Sequence, residues 1–286
     1  MHGYFKGSEK NIYTGSDLAC ERHRLDLSIS GVSYRKERSG FFTWERIEIT
    51  SDEGEKSIGR PRGNYDTLSG ERMDMLDGED IDDAANEIAR ELCYIFEKSS
   101  VTPERLLIVG LGNEELTPDS VGPKTAKLVN ATMHIKEADP ELFRSYECSE
   151  IAVLTPGVMA KTGIESSDTV SAICDLTEPD AVIVIDSIAS LSPTRLGTTI
   201  QISNTGIFPG SGIGNKRKAL SERTLGIPVI AIGVPTVIKA GAFSDGHSDE
   251  SNESDDMFVS PRDIDTIVSV CSKIIADGIN QAFGII

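Results

Sequence analysis

Two aspartates stand at positions where carboxyl groups can do chemistry. Asp186 directly follows the apolar run 181–185, and Asp119 lies shortly after a second apolar run that ends at Gly110. Two carboxyl groups that converge can share one proton, so that one acts as a base and the other as an acid toward a bound water. Each also has an ordinary structural alternative. Asp119 can sit in the first turn of a helix capped by Thr117, and Asp186 can be a helix N-cap.

A glycine-rich segment with three basic residues, 206–218, is a second candidate site. Such a loop can hold an anion or a peptide carboxylate, and the alternative is a surface turn with solvated basic side chains. We assign Gly210, Gly212, Lys216 and Arg217 of this segment as candidate substrate-binding residues, together with Asn113, which follows the apolar run 105–110. The Gly110-Leu111-Gly112 motif is not a dinucleotide fingerprint, because Glu115 occupies the place of the third glycine.

The histidines and cysteines give little support to a metal-dependent or thiol-dependent mechanism. Of the four histidines, only His134 lies outside the polar N-terminal stretch and the acidic segment 244–256, and no HExxH motif occurs. The five cysteines are widely spaced without a CxxC pair, which argues against a disulfide framework or a thiolate zinc site. We therefore expect no metal and no cofactor.

The elements that must position the two aspartates alternate between strands and helices. Short apolar runs at 105–110, 181–185 and 228–234 are typical of strands buried on both faces of a parallel sheet. Apolar residues with a 3.6-residue period at 80–98 predict a helix. This alternation predicts an α/β fold with a mostly parallel twisted sheet flanked by helices, which binds ligands beyond the carboxyl ends of its strands.

Composition narrows the possible partners and location. The chain has 286 residues, of which 38% are hydrophobic and 26% charged, and its net charge is −18. Such a surface repels phosphate backbones, so we expect no direct nucleic-acid binding. The sequence has neither an apolar run long enough for a membrane span nor the apolar region of a secretory signal, so we expect a cytoplasmic protein without membrane contact.

Several segments in order resemble the germination protease family of spore-forming bacteria. The matching segments are 108–113, 117–119, 156–159, 162–168, 179–186, 198–206, 209–218 and 225–236. The resemblance implies a fold similar to that of hydrogenase-maturation endopeptidases and a homotetramer made as a zymogen. It also implies small acid-soluble spore proteins as substrates, a location in the spore core, and Asp119 and Asp186 as the catalytic pair. One departure is Phe208, which stands where the family tends to have histidine.

The resemblance also suggests how the chain is divided. The polar stretch 1–24 is interpreted as an extended or loosely ordered arm, and Asp17-Leu18-Ala19 is similar to the family's preferred cleavage sequence. We therefore expect a propeptide-like arm at 1–17, self-cleavage between Asp17 and Leu18, and one endopeptidase domain at 18–286. The acidic segment 244–256 lacks the apolar residues needed to order itself and predicts a mobile surface loop.

Three functional hypotheses remain open at this point. The first is an endopeptidase in which Asp186 activates the water and Asp119 protonates the leaving amine, an assignment that the sequence leaves reversible. The second is a non-catalytic binding module that uses segment 206–218 to hold an anionic ligand. The third is a nickel-dependent maturation endopeptidase, whose carboxylates work with a histidine that has no match in this sequence.

Overall fold

A computed structural model describes residues 16–23, 29–210, 217–240 and 257–284. The strands are β1 (Val32–Ser39), β2 (Phe42–Ile49), β3 (Gly63–Ser69), β4 (Arg105–Gly110), β5 (Glu150–Leu154), β6 (Ala181–Ser190), β7 (Thr199–Ser203), β8 (Val229–Lys239) and β9 (Phe258–Val259). The helices are α1 (Ala19–His23), α2 (Asp52–Ile58), α3 (Gly78–Lys98), α4 (Val121–Leu128), α5 (Met133–Ala138), α6 (Pro140–Ser145), α7 (Met159–Thr162), α8 (Ser166–Thr177), α9 (Glu222–Leu225) and α10 (Ile264–Phe283). The acidic segment 244–256 lies outside the described residues.

The strands form one mixed sheet in the order β1-β2-β3-β7-β8-β6-β4-β5, with β9 beside β8. Its centre is parallel: β5, β4, β6 and β8 all run in one direction. The other pairings are antiparallel. The predicted α/β fold is confirmed, and the expectation of a mostly parallel sheet is corrected to a parallel centre with an antiparallel extension.

The parallel centre is buried on both faces, as its continuous apolar strands predict. Alternate side chains of β4, β6 and β8 pack against α3 and α10 on one face, including Ile108, Ile183 and Ile232. The intervening side chains, such as Val109 and Val184, pack toward α8 on the other face. Because both faces are covered, the carboxyl edge of these strands is the part of the centre left to bind a ligand.

One strand of the antiparallel extension, β3, comes from a segment that the sequence did not identify as regular. The stretch 51–70, interpreted as rich in turns, contains α2 and β3 instead. Ser51 caps α2 by accepting a hydrogen bond from the backbone N–H of Gly54, and Gly59 ends it with a left-handed φ of 70°. β3 then pairs with both β2 and β7, so that its backbone groups are satisfied on both sides.

The described part of the N-terminal stretch is packed, which corrects the interpretation of 1–24 as a loose arm. Leu18, Ala19 and Cys20 are buried, with Leu18 at 0% exposure. They pack with side chains of β2, β3 and β6 and with Ile58. Burial of these three consecutive small or apolar residues stabilises the packed conformation of this stretch. Residues 1–15 lie outside the described part of the chain.

Within the part of the chain that the structure describes, no helix has the length and apolar character needed to cross a bilayer.

Candidate active site

Glycines bring the loop that follows β4 against the middle of β6. A Cβ atom at Gly122 would lie 2.3 Å from the carbonyl oxygen of Leu111 and 2.5 Å from that of Ile185. A Cβ at Gly110 would lie 2.2 Å from the carbonyl oxygen of Gly122. Only glycine permits such approaches, so the first turn of α4 lies directly against the end of β4 and the middle of β6.

Asp119 lies in a short 3-10 helix, Thr117–Asp119, just before α4. Its carboxylate accepts a hydrogen bond from the backbone N–H of Asn113 over 2.8 Å. Gly112, with φ +114°, lets the loop turn back so closely that a Cβ there would lie 2.0 Å from the Asp119 carbonyl oxygen. Asp119 therefore fastens its own loop and is not simply a residue of the first turn of α4.

Asp186 lies inside β6, since this strand continues five residues further than the sequence suggested. No helix begins at Asp186, which removes the N-cap interpretation. The residue is 5% exposed, and its carboxylate accepts a hydrogen bond from the backbone N–H of Ser187 over 2.9 Å. A buried carboxyl group with little hydrogen bonding to its charged form holds a proton readily.

The two aspartates influence each other electrostatically. Burial, followed by the negative charge of Asp119, raises the pKa of Asp186 well above its usual value. Burial also raises the pKa of Asp119, while the N–H of Asn113 and the charge of Arg217 act to lower it. Arg217 acts in the same direction on Asp186. The charges of Asp119 and Arg217 thus both act on Asp186 at the carboxyl edge of the sheet.

The other predicted substrate-binding residues do not share one location in the structure. The side chain of Asn113 accepts a hydrogen bond from the backbone N–H of Glu115 over 3.1 Å, so Asn113 also shapes the loop that carries Asp119. Gly210 lies in a turn with φ +71°. Gly212 and Lys216 lie outside the described residues.

The predicted cleavage point, Asp17–Leu18, lies beside β6. The backbone N–H of Asp17 donates to the carbonyl oxygen of Ala189 over 2.9 Å. The N–H of Ala189 donates in turn to the Asp17 carboxylate over 3.0 Å. Ala189 is three residues beyond Asp186, about 10 Å along a strand, and the charge of Asp17 contributes to the raised pKa of Asp186.

Three residues that hold this segment were missed by sequence reasoning. Arg60 forms an ion pair with Asp17, and the side-chain amide of Gln201 bonds to the backbone on both sides of the Asp17–Leu18 bond. Glu21 accepts hydrogen bonds from the backbone N–H groups of Leu191 and Ser192 over 2.8 and 2.9 Å. These contacts join positions far apart in the chain, so no local pattern marks them.

The described residues contain no set of ligands for a metal centre. Among residues 16–23, 29–210, 217–240 and 257–284, no three His, Cys, Asp or Glu side chains cluster in a way that could hold an ion. His134 is exposed on α5. The described cysteines are free thiols, and burial raises the pKa of each.

Comparison with known proteins gives the class of this chain and then its family. Residues 10–249 match the peptidase family model described as germination protease. The chain is 42% identical over 233 residues to the germination protease of Oceanobacillus iheyensis, covering 81% of this chain and 62% of that relative. It is 34% identical over 309 residues to the germination protease of Clostridium perfringens, covering 93% and 94% of the two chains. The chain therefore belongs to the germination protease family.

Among solved structures, the hydrogenase maturation protease HycI from Thermococcus kodakarensis aligns with 65% of this chain and 98% of its own. The sequence identity of that alignment is 17% and its TM-score is 0.32.

Proposed function

We propose that this protein is an endopeptidase that begins the degradation of small acid-soluble spore proteins during germination, with Asp119 and Asp186 as its catalytic pair. The observation that carries the proposal is that the loop bearing Asp119 packs against β6 next to Asp186. The N–H of Leu111 donates to the carbonyl oxygen of Ile185 over 2.8 Å, and the negative charge of Asp119 raises the pKa of Asp186. Membership of the germination protease family supports the same conclusion. Because the chain spans 62% of the length of one such relative, the substrate and partners are part of the proposal.

The geometry favours a division of labour opposite to the one that the sequence suggested. Each carboxylate accepts one backbone N–H, but Asp186 is buried whereas Asp119 is only half-buried. Burial and the neighbouring charge therefore favour the neutral form of Asp186 more strongly than that of Asp119. We therefore assign Asp119 as the base and Asp186 as the acid, acting as one coupled pair.

In the proposed reaction Asp119 takes a proton from a water molecule as its oxygen attacks the scissile carbonyl carbon. Asp186 donates its proton to the carbonyl oxygen, which gives a neutral tetrahedral intermediate. When the C–N bond breaks, the proton on Asp119 passes to the leaving amine nitrogen. The proton on the second hydroxyl returns to Asp186, so that the pair is restored.

The proposal includes a zymogen that cuts itself between Asp17 and Leu18, a homotetrameric assembly and a location in the spore core. Close placement of this bond beside β6 supports self-cleavage. The assembly and the location follow from the family likeness.

The proposed activity predicts that purified protein cleaves a small acid-soluble spore protein at defined bonds. Cleavage should persist in EDTA, since the proposed chemistry uses carboxyl groups alone, and in iodoacetamide, since no thiol takes part. Gel electrophoresis and mass spectrometry of the fragments measure both results.

Two outcomes would redirect the proposal. Loss of activity in EDTA, restored by nickel, would place the protein with the metal-dependent maturation endopeptidases. Binding of the spore protein without any cleavage, by the self-processed chain, would favour the non-catalytic binding module.

Self-cleavage predicts a single new N-terminus at Leu18. Protein held under mildly acidic, dehydrating conditions should lose residues 1–17 in one step, which intact-mass measurement detects. The Asp186→Asn variant, incubated in parallel, should stay uncut. Ragged ends, or the same trimming in that variant, would mean that another protease removes the segment.

A further inference from the structure

The backbone and the side chain of Asp17 both bond to Ala189 in β6. The N–H of Asp17 donates to the carbonyl oxygen of Ala189 over 2.9 Å, and the N–H of Ala189 donates to Oδ2 of Asp17 over 3.0 Å. The pairing of β6 with β8 shifts register between Ile188 and Ala189, so Asp17 binds where the ladder is irregular. One main-chain bond and one bond to the carboxylate thus fix Asp17 against β6.

Among the described residues, two donors hold the acidic side chain of Asp17. Its Oδ1 accepts from Nη2 of Arg60 over 3.0 Å, and its Oδ2 accepts from the N–H of Ala189 over 3.0 Å. The Arg60 and Asp17 side chains are each 12% exposed. A largely buried guanidinium in this position favours a carboxylate over a neutral amide. Charge-assisted hydrogen bonds are stronger, and an amide would leave part of the positive charge of Arg60 without a counter-charge.

Backbone contacts bracket the bond that follows Asp17. Nη2 of Arg60 also donates to the carbonyl oxygen of Ser16 over 2.8 Å. The side-chain amide of Gln201 donates to the carbonyl oxygen of Asp17 over 3.3 Å and accepts from the N–H of Ala19 over 2.9 Å. These groups hold main-chain atoms that any peptide has, so the Asp17 carboxylate is the sequence-specific part of this contact set.

We propose that Arg60, with the N–H of Ala189, forms the subsite that recognises the acidic residue before the cleaved bond. In the uncut chain Asp17 fills this subsite. Cleavage after Asp17 releases residues 1–17 and opens the subsite to the acidic residue of a protein substrate. The inference rests on the proposed endopeptidase function and names the side chain that selects its substrates. A fixed cation here also offsets the repulsion that a chain of net charge −18 exerts on an acidic peptide.

A double-mutant cycle tests the subsite during self-cleavage. Asp17→Asn and Arg60→Gln should each slow the appearance of the Leu18 terminus by about 10- to 100-fold, the range of a hydrogen bond to a charged group. The double variant should be no slower than the slower single variant, because both remove the same interaction. Losses that multiply in the double variant would overturn the inference.

A second readout uses substrates in trans, after self-cleavage has been taken to completion and verified by mass. Two peptides that differ only by Glu or Gln before the cleaved bond are compared by kcat/KM. Wild type should prefer the Glu peptide by about 10- to 100-fold, and Arg60→Gln should lower this preference to within about threefold. Arg62→Gln is the matched control, since Arg62 lies in the same turn but pairs with Asp52 and Glu55 instead.

The outcomes separate this inference from the function on which it rests. A wild type that cuts neither itself nor either peptide would overturn both. A wild type that cuts, with the same Glu preference in Arg60→Gln or an equal loss on both peptides, would overturn the subsite alone.

Discussion

Asp119→Asn and Asp186→Asn are each expected to reduce cleavage of a small acid-soluble spore protein by about 10²–10⁴-fold, the usual cost of losing a proton-transfer group. Asparagine keeps the size and a hydrogen-bond acceptor for the N–H groups of Asn113 and Ser187, so the fold should persist. Initial rates, with circular dichroism spectra of the same samples, measure the two effects.

Asp180→Asn is the control for this experiment. Asp180 lies just before the amino end of β6, six residues before Asp186, and its carboxylate accepts hydrogen bonds from the N–H groups of Glu104 and Arg105. Its replacement should leave the rate within about threefold of wild type, because the effect assigned to catalysis is at least about 10²-fold. Near-normal cleavage by either folded variant of the proposed pair would exclude that residue from the chemistry.

Gly122→Ala is expected to have the largest effect on stability and to disturb the site at the same time. The new Cβ would meet Leu111 N at 2.6 Å and two carbonyl oxygens at still shorter distances. All three atoms belong to the backbone, so the first turn of α4 must move away. We expect a loss of about 3 kcal/mol in the free energy of unfolding, at the upper end for overpacking. Cleavage should fall by about 10²-fold as Asp119 is displaced from Asp186.

Urea unfolding and cleavage rates of the folded protein check this expectation. Gly78→Ala is the matched control, because a Cβ at Gly78, in the first turn of α3, would meet no atom within 4 Å. It should be neutral or slightly stabilising, since alanine is the better helix former. Equal stability of the Gly122 and Gly78 variants would mean that the close approach of α4 to β4 and β6 is not needed.

The sequence was most informative where a pattern is local and repeated. Continuous apolar runs at β4, β6 and β8 predicted strands buried on both faces, and the helical period at 80–98 predicted α3. The positions of Asp119 and Asp186 shortly after these runs also indicated that they are candidate catalytic residues. The sequence could not show that β6 continues past Asp186, because Ser187–Ser190 owe their strand conformation to pairing with β8.

The sequence could not predict contacts between residues that are distant along the chain. Arg60 and Asp17 are 43 positions apart, and Gln201 and Ala19 are 182 positions apart. Arg60 lies in a stretch of glycine, proline and arginine whose composition is typical of a turn, and its partner lies in a stretch that composition marks as loose. Only the folded chain brings them together beside β6.

The burial of the Asp17–Leu18 bond determines which protease can cut it. A foreign protease needs an exposed strand of chain, so it must wait until residues 16–23 detach from the body of the protein. Detachment exposes Leu18, at about 1.5–3 kcal/mol for a buried aliphatic side chain, and breaks the bonds made by Arg60 and Glu21. Under the proposed self-cleavage, the intact chain is therefore protected from other proteases at this bond, and the packing of residues 16–23 controls when cleavage occurs.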